Sequence, residues 1–151
     1  LHNISLPAGQ FGNKCIEQLF TNCLDCSSHP SFGDLVDVEV SAHLLIDRQG
    51  DVTQFVPFNR RAWHAGQSQF NGRVNCNDFS IGIELEGVDD HPYTKFQYLS
   101  LTEVSRQIMH FYPAISIENI VGHSDVSPGR KTDPGAAFDW TGYLHALSAK
   151  V

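Results

Sequence analysis

Two kinds of hydrophobic pattern predict that this chain forms a domain of the α/β (α+β) class. Apolar and polar residues alternate near residues 38–47 and 80–86, as in strands, whereas apolar residues recur at helical spacing over 95–111. Because the two patterns are mixed along the chain, we expect strands and helices to pack around one core. The 151 residues suit a single domain, 1–151, that buries about two thirds of its unfolded surface.

The first half of the chain is predicted to contain a short helix and two strands. An apolar stripe indicates an amphipathic helix from Asn13 to Thr21, and a loop-like segment follows over 22–37. Residues 38–47 have the alternation of a strand, which only Leu45 breaks, and 52–56 is interpreted as the returning strand of a hairpin. A long turn-rich segment then leads to the next strand.

The second half is predicted to alternate strands with longer helices. Residues 80–86 alternate cleanly and form a strand, and the longest helix is placed at 95–111. Thr94 and the glutamine three residues after it have the spacing of a capping box, which satisfies two early backbone donors of that helix. A short strand is predicted at 118–122, and a last helix begins after Asp139.

The composition argues against two classes of partner. Ten Lys plus Arg against seventeen Asp plus Glu give a formal charge of −7, whereas proteins that bind nucleic acid usually carry a basic face. The longest purely apolar stretches contain only a few residues, far fewer than the roughly 20 that a membrane-spanning helix needs. We therefore predict neither a nucleic-acid partner nor a membrane partner.

The cysteines and the start of the chain bear on the cellular compartment. The four cysteines permit disulfides, and Cys23 and Cys26 form one Cys-x-x-Cys pair, which is a weak indication of a zinc or redox site. Free thiols in a reducing compartment are the preferred interpretation. Because the chain begins at Leu1 without an initiator methionine, we also expect native N-terminal residues to be missing.

One loop carries candidate metal ligands. The segment from Gly122 to Gly135 is stiffened by Pro and Gly and contains His123 and Asp133. A catalytic zinc takes three protein ligands, with His and Asp among the common ones, and leaves one position for water. Since the chain has no His-Glu-x-x-His motif, the third ligand must come from a distant segment. The alternative is an ordinary loop in which Asp133 makes a turn hydrogen bond.

Glu84 is a second candidate for chemistry. It lies in the middle of the predicted strand at 80–86, with Glu86 on the same face. A carboxylate beside a water activated by a metal can act as a general base. The alternative is an exposed strand carboxylate with no catalytic role.

Four dispersed segments carry a family pattern. They are His2–Pro7, Val40–Gly66 with its Arg-Ala-Trp-His-Ala-Gly end, Asn77–Gly87, and Gly122–Gly135. In this order they resemble the N-acetylmuramoyl-L-alanine amidases of the AmpD type. The resemblance implies the fold of the peptidoglycan recognition proteins, in which a central mixed β-sheet is flanked by helices.

The resemblance also implies a role for individual residues. His2, His123 and Asp133 are expected to bind Zn²⁺, Glu84 to act as the general base, and Lys131 to stabilise the oxyanion. The expected substrate contacts are Asn3, Trp63, Arg73 and Asp125. Phage-lysozyme-like amidases and catalytic peptidoglycan recognition proteins use a cysteine at the position matched by Asp133, so this chain resembles the recycling amidases more closely.

The function implied by the resemblance is a zinc-dependent amide hydrolysis in cell-wall recycling. The amide joins the lactyl group of (1,6-anhydro-)N-acetylmuramic acid to L-alanine of the peptidoglycan stem peptide. A monomeric cytoplasmic enzyme acting on a small soluble muropeptide is expected. Two alternatives stay open, namely a non-catalytic peptidoglycan-binding module and a secreted wall-lytic amidase.

Overall fold

A four-stranded mixed β-sheet lies at the centre of the structure, a computed structural model that describes residues 1–149. In their order across the sheet, the strands are β1 (His2–Ile4), β6 (Ile83–Glu86), β2 (Leu44–Ile46) and β3 (Val52–Gln54). β1 and β2 run parallel to β6, whereas β3 is antiparallel to β2. A separate hairpin pairs β4 (Gln69–Phe70) with β5 (Arg73–Val74). The predicted fold class is confirmed.

Helices cover both faces of this sheet. Within residues 1–149 the helices are α1 (Cys15–Phe20), α2 (Lys95–Phe111), α3 (His123–Val126) and α4 (Trp140–Ser148), of which α1, α2 and α4 pack on the sheet. On one face, Leu44 and Ile46 of β2 pack with Leu101 of α2 and Tyr143 of α4. On the other face, Leu45 packs with α1. Leu45 therefore breaks the predicted alternation because both faces of β2 are covered.

The longest helix, α2, matches its predicted bounds. Thr94 Oγ1 accepts a hydrogen bond from the Gln97 backbone N–H, and the Gln97 side chain accepts one from the Thr94 N–H, both at 3.1 Å. The predicted capping box is thus confirmed, and it satisfies two of the backbone donors that a helix start leaves unpaired. Within residues 1–149, no helix is both long enough and apolar enough to cross a membrane.

The strands are shorter than the alternation predicted. Only the last residues of the segment 38–47 join the sheet as β2, and the predicted strands at 52–56 and 80–86 likewise lose residues. At Ser41, three residues before β2, the backbone is bonded elsewhere, because its N–H donates to the Trp63 carbonyl oxygen. The alternation of apolar residues therefore predicts burial more accurately than it predicts strand pairing.

The strand predicted at 118–122 is wrong. Ile117–Asn119 forms a turn of 3₁₀ helix, and the residues after it run beside the start of the chain. There the Leu1 nitrogen donates to the Val121 carbonyl oxygen at 2.6 Å, and the His123 N–H donates to the Leu1 carbonyl oxygen at 3.0 Å. These two hydrogen bonds hold β1 against the start of α3.

The N-terminal region also differs from its predicted form. The segment expected to be a loop contains a 3₁₀ helix, Pro30–Leu35, whose first turn is capped by the His29 side chain. All four cysteines carry free thiols, as the preferred interpretation expected, and Cys76 is buried.

Candidate metal centre and active site

Three side chains from distant parts of the chain converge on one point. His2 Nδ1 lies 2.9 Å from His123 Nδ1 and 3.0 Å from Asp133 Oδ2, and the last two atoms are 3.1 Å apart. The side chains are 5%, 4% and 13% exposed, respectively. Zinc ligands in a tetrahedral shell, at roughly 2.0–2.2 Å from the metal, lie about 3.3 Å from one another. The three atoms therefore fit the donor set and spacing of a zinc site.

Backbone hydrogen bonds bring these three residues together. The bond from the His123 N–H to the Leu1 carbonyl oxygen places β1 next to the first residue of α3. The Ser124 N–H donates to the Asp133 carbonyl oxygen at 3.0 Å and folds the loop back onto α3. The third ligand that the loop lacked thus comes from β1, at the other end of the sequence.

Burial and hydrogen bonding set the charges of this cluster. Burial lowers the pKa of His2 to about 3, although the nearby carboxylate of Asp133 acts in the opposite direction. For Asp133, burial acts to raise the pKa, but the two neighbouring histidines, His123 and His2, outweigh it and lower the pKa below its usual range. Neutral imidazole and ionised carboxylate are the forms that bind a metal ion.

Glu84 lies beside the cluster in the centre of the sheet. In the register of the strands it is paired with His2 on β1 and with Leu45 on β2. Its Oε2 atom is buried and has no hydrogen-bond partner among residues 1–149. Burial, reinforced by the charge of Asp133, raises the pKa of Glu84 well above its ordinary value. The alternative of an exposed strand carboxylate is wrong, because Glu84 is only 8% exposed.

Comparisons with known proteins identify the family. A family model described as N-acetylmuramoyl-L-alanine amidase matches residues 13–136. The chain is also 54% identical to the 1,6-anhydro-N-acetylmuramyl-L-alanine amidase AmpD of Escherichia coli (strain K12), over 100% of this chain and 82% of that protein. This chain belongs to the N-acetylmuramoyl-L-alanine amidase family.

Solved structures of other amidases share the fold of this one. A crystal structure of a selenomethionine AmpD derivative matches it with a TM-score of 0.93 and 52% identity, over 97% of this chain and 80% of that chain. AmiD from E. coli was solved in complex with the substrate anhydro-N-acetylmuramic acid-L-Ala-D-γ-Glu-L-Lys. It matches with a TM-score of 0.66 and 36% identity, over 77% of this chain and 51% of that chain. The centre described above is therefore the candidate active site of an amidase.

Three further predicted site residues of the amidase are exposed. Lys131 lies in the loop before Asp133, and its charge partly offsets the rise in the pKa of Glu84. Trp63 is 55% exposed, with the Arg61 guanidinium 3.7 Å from the centroid of its ring. Arg73 lies on β5, with its guanidinium 4.0 Å from the centroid of the Phe79 ring. Each of these side chains is accessible to a ligand.

Two predicted substrate contacts, Asn3 and Asp125, form hydrogen bonds within the protein. The Asn3 amide nitrogen donates to Asp89 Oδ1 at 2.8 Å and to the Pro134 carbonyl oxygen at 3.1 Å. Asp125 Oδ2 accepts a hydrogen bond of 2.7 Å from the Gly122 N–H and caps the start of α3. Both side chains therefore stabilise the loop that carries the candidate zinc ligands His123 and Asp133.

The structure adds residues that the motif assignments did not include. His64 Nδ1 lies 2.9 Å from His2 Nε2, and the neighbouring Ala65 carbonyl oxygen lies 2.9 Å from His123 Nε2. Burial lowers the pKa of His64 to about 2, so its imidazole is neutral. The available sequence signal was the histidine after Trp63 in the Arg-Ala-Trp-His-Ala-Gly segment, which the resemblance used only for its tryptophan.

Proposed function

We propose that this amidase is a zinc enzyme of cell-wall recycling whose substrates are 1,6-anhydro-N-acetylmuramyl peptides. It hydrolyses the amide between the lactyl group of the amino sugar and L-alanine of the stem peptide. The observation that carries the proposal is the convergence of His2, His123 and Asp133, whose three ligand atoms lie within 3.1 Å of one another. The 54% identity with an AmpD amidase over the whole chain supports the assignment of the substrate.

In the proposed mechanism, the zinc ligands, Glu84 and Lys131 have separate roles. His2, His123 and Asp133 would hold a zinc ion, which when bound would supply Lewis-acid chemistry that polarises a carbonyl group and lowers the pKa of a water molecule to near 7. Glu84 accepts a proton from the attacking water at Oε2 and returns it to the leaving nitrogen of L-alanine. Burial raises the pKa of Glu84 above its ordinary value, which makes its carboxylate a stronger base. Lys131 places positive charge where the oxyanion develops.

We further propose that the enzyme is a cytoplasmic monomer that acts on soluble muropeptides and not on the intact wall. The formal charge of −7 disfavours adsorption to an anionic polymer at low salt. The exposed ring of Trp63 provides an aromatic wall for the sugar or the peptide. A substrate of the same chemistry is bound by the relative AmiD in its solved complex.

Metal analysis tests the proposed ligands. We expect one zinc per chain in the purified protein, and Asp133→Ala should lose most of the zinc and all detectable turnover. The matched control is Asp51→Ala, which removes an exposed carboxylate from the turn before β3 and should retain both. Full zinc occupancy in Asp133→Ala would contradict the ligand assignment.

Product analysis tests the proposed substrate. Mass spectrometry should follow anhydromuramyl tripeptide, its reducing-sugar form and intact sacculi in parallel reactions. We expect kcat/KM for the anhydro form to be at least roughly tenfold higher than for the reducing form, equivalent to about 1.4 kcal/mol. Equal rates, or faster release from sacculi, would favour a wall-lytic enzyme, and binding without any product would favour a non-catalytic module.

A further inference from the structure

We propose that His64 is a positioning residue that sets the tautomer of the metal ligand His2. The His2 ring presents Nδ1 to His123 and Asp133, and its other nitrogen, Nε2, lies 2.9 Å from His64 Nδ1. The inference rests on the proposed zinc site, because it concerns whether Nδ1 of His2 is free to bind the metal. A histidine ligand commonly donates its second N–H to a partner that orients the ring.

The direction of the His2–His64 hydrogen bond is set at the far end of a short chain of hydrogen bonds. The carbonyl oxygen of Cys76 can only accept, so Ser80 Oγ donates to it at 2.6 Å. Ser80 Oγ is then the acceptor for Nε2–H of His64, 3.4 Å away, and this leaves His64 Nδ1 as an acceptor. His2 therefore donates through Nε2–H, and its Nδ1 keeps a lone pair directed at the metal centre.

Asp133 gives His2 a competing tautomer that would block metal binding. Its Oδ2 lies 3.0 Å from His2 Nδ1, close enough to accept a hydrogen bond from an Nδ1–H. In that tautomer one hydrogen bond would occupy two of the three ligand atoms. His64 disfavours the competing form because His2 would then leave His64 Nδ1 without a donor in a buried site.

The protein holds His64 in place through contacts on two sides. Asn77 Oδ1 accepts hydrogen bonds from the backbone N–H groups of His64 at 3.0 Å and Ala65 at 2.8 Å. A Cβ at position 82 would collide with the His64 ring, so the glycine found there gives the ring its space. Because the Ala65 carbonyl oxygen pairs with His123 Nε2, the same dipeptide provides a partner for both histidine ligands.

Two variants of nearly equal shape separate the hydrogen bond from packing. In His64→Asn the amide oxygen takes the place of Nδ1 and can still accept from His2, whereas His64→Leu fills similar space with no acceptor. We expect His64→Leu to bind zinc roughly ten- to hundredfold more weakly in competition with a chelator, and His64→Asn to stay close to wild type. ¹⁵N NMR of the zinc-free proteins should find His2 in the Nε2–H form in wild type and His64→Asn, and should detect Nδ1–H in His64→Leu.

The outcomes distinguish this inference from the proposed function. Wild-type zinc affinity in His64→Leu, or an equal loss in both variants, would overturn the role of His64 while leaving the zinc site in place. A wild-type protein that binds no zinc would contradict the proposed function itself. The ¹⁵N NMR spectrum of the zinc-free wild type would then test the inference by itself. An Nδ1–H tautomer of His2 in that spectrum would overturn the inference. If His64→Leu does not fold, that same spectrum decides the question.

Discussion

Glu84 and Glu86 occupy the same strand two residues apart, and both are buried, yet their surroundings differ. Glu86 accepts a hydrogen bond from the Gly12 N–H at Oε1, at 2.6 Å, and one from the Arg48 N–H at Oε2, at 3.1 Å. Glu84 has a buried Oε2 with no hydrogen-bond partner in the described part of the chain. One carboxylate thus ties two loops to the sheet, whereas the other is left available.

The position of each carboxylate in the sheet accounts for this difference. Across β1, Glu84 is paired with His2 of the metal cluster, whereas Glu86 is paired with Ile4, which packs against the apolar cluster under α1. A buried acceptor without a partner costs about 1–3 kcal/mol, so its presence needs a reason. A buried carboxylate is therefore a candidate for chemistry when it has no hydrogen-bond partner beside a candidate metal site, and a structural residue when both of its oxygens accept hydrogen bonds.

The largest expected effect is on the rate of the Glu84→Gln variant. Loss of the general base should lower kcat by about a hundredfold or more, with the zinc content unchanged. Steady-state kinetics on anhydromuramyl tripeptide, with metal measured on the same samples, provides the test. A wild-type kcat in the zinc-loaded variant would remove Glu84 from its proposed role.

Lys131→Ala should also lose activity while it retains the metal. Removal of one stabilising charge from the oxyanion site typically costs on the order of a hundredfold in kcat. The positive charge of Lys131 also lowers the pKa of Glu84, so its removal should move the acidic limb of the pH–rate profile to higher pH. An unchanged acidic limb together with an unchanged kcat would show that Lys131 neither stabilises the oxyanion nor affects the pKa of Glu84.

Glu86→Gln should affect stability much more than activity. The variant can accept only one of the two backbone N–H groups and presents a donor to the other, at a cost of about 1–3 kcal/mol in the free energy of unfolding. Urea unfolding of this variant beside Glu84→Gln measures the contrast between the two positions. Equal loss of stability in both variants would mean that the two carboxyl groups have equivalent partners.

The smallest expected effect is a pH dependence of stability in the zinc-free protein. The pKa of Glu84 is raised above its ordinary value near 4.5, so the folded protein binds this proton more tightly than the unfolded chain. The contribution is present below about pH 4.5 and is lost as the pH rises through the folded pKa. Urea unfolding at a series of pH values should therefore show the wild type losing stability relative to Glu84→Gln as the pH rises above about 4.5. A difference in the free energy of unfolding that does not change with pH would show that Glu84 is solvated.

The elements with strong local signals were predictable from the sequence. α2 has its predicted bounds because the apolar stripe and the capping box depend only on residues near one another in the chain. The strand predicted at 118–122 failed because neighbouring backbone hydrogen bonds, and not the apolar pattern, decide whether an extended segment joins a sheet. Leu45 departs from the alternation because α1 packs on the second face of β2, which the sequence pattern does not record.

For the candidate site, the sequence by itself determined which residue types were present and the family they resemble. It placed His123 and Asp133 in one loop, but His2 entered only through the resemblance, because 121 positions separate the two histidines. Only the tertiary structure decided that Glu84 is free and Glu86 bonded, and that His64 contacts His2. The physical reason is that the hydrogen-bond partners of these side chains come from segments far away in the chain. A local sequence pattern does not determine which distant segment contacts a given side chain in the fold.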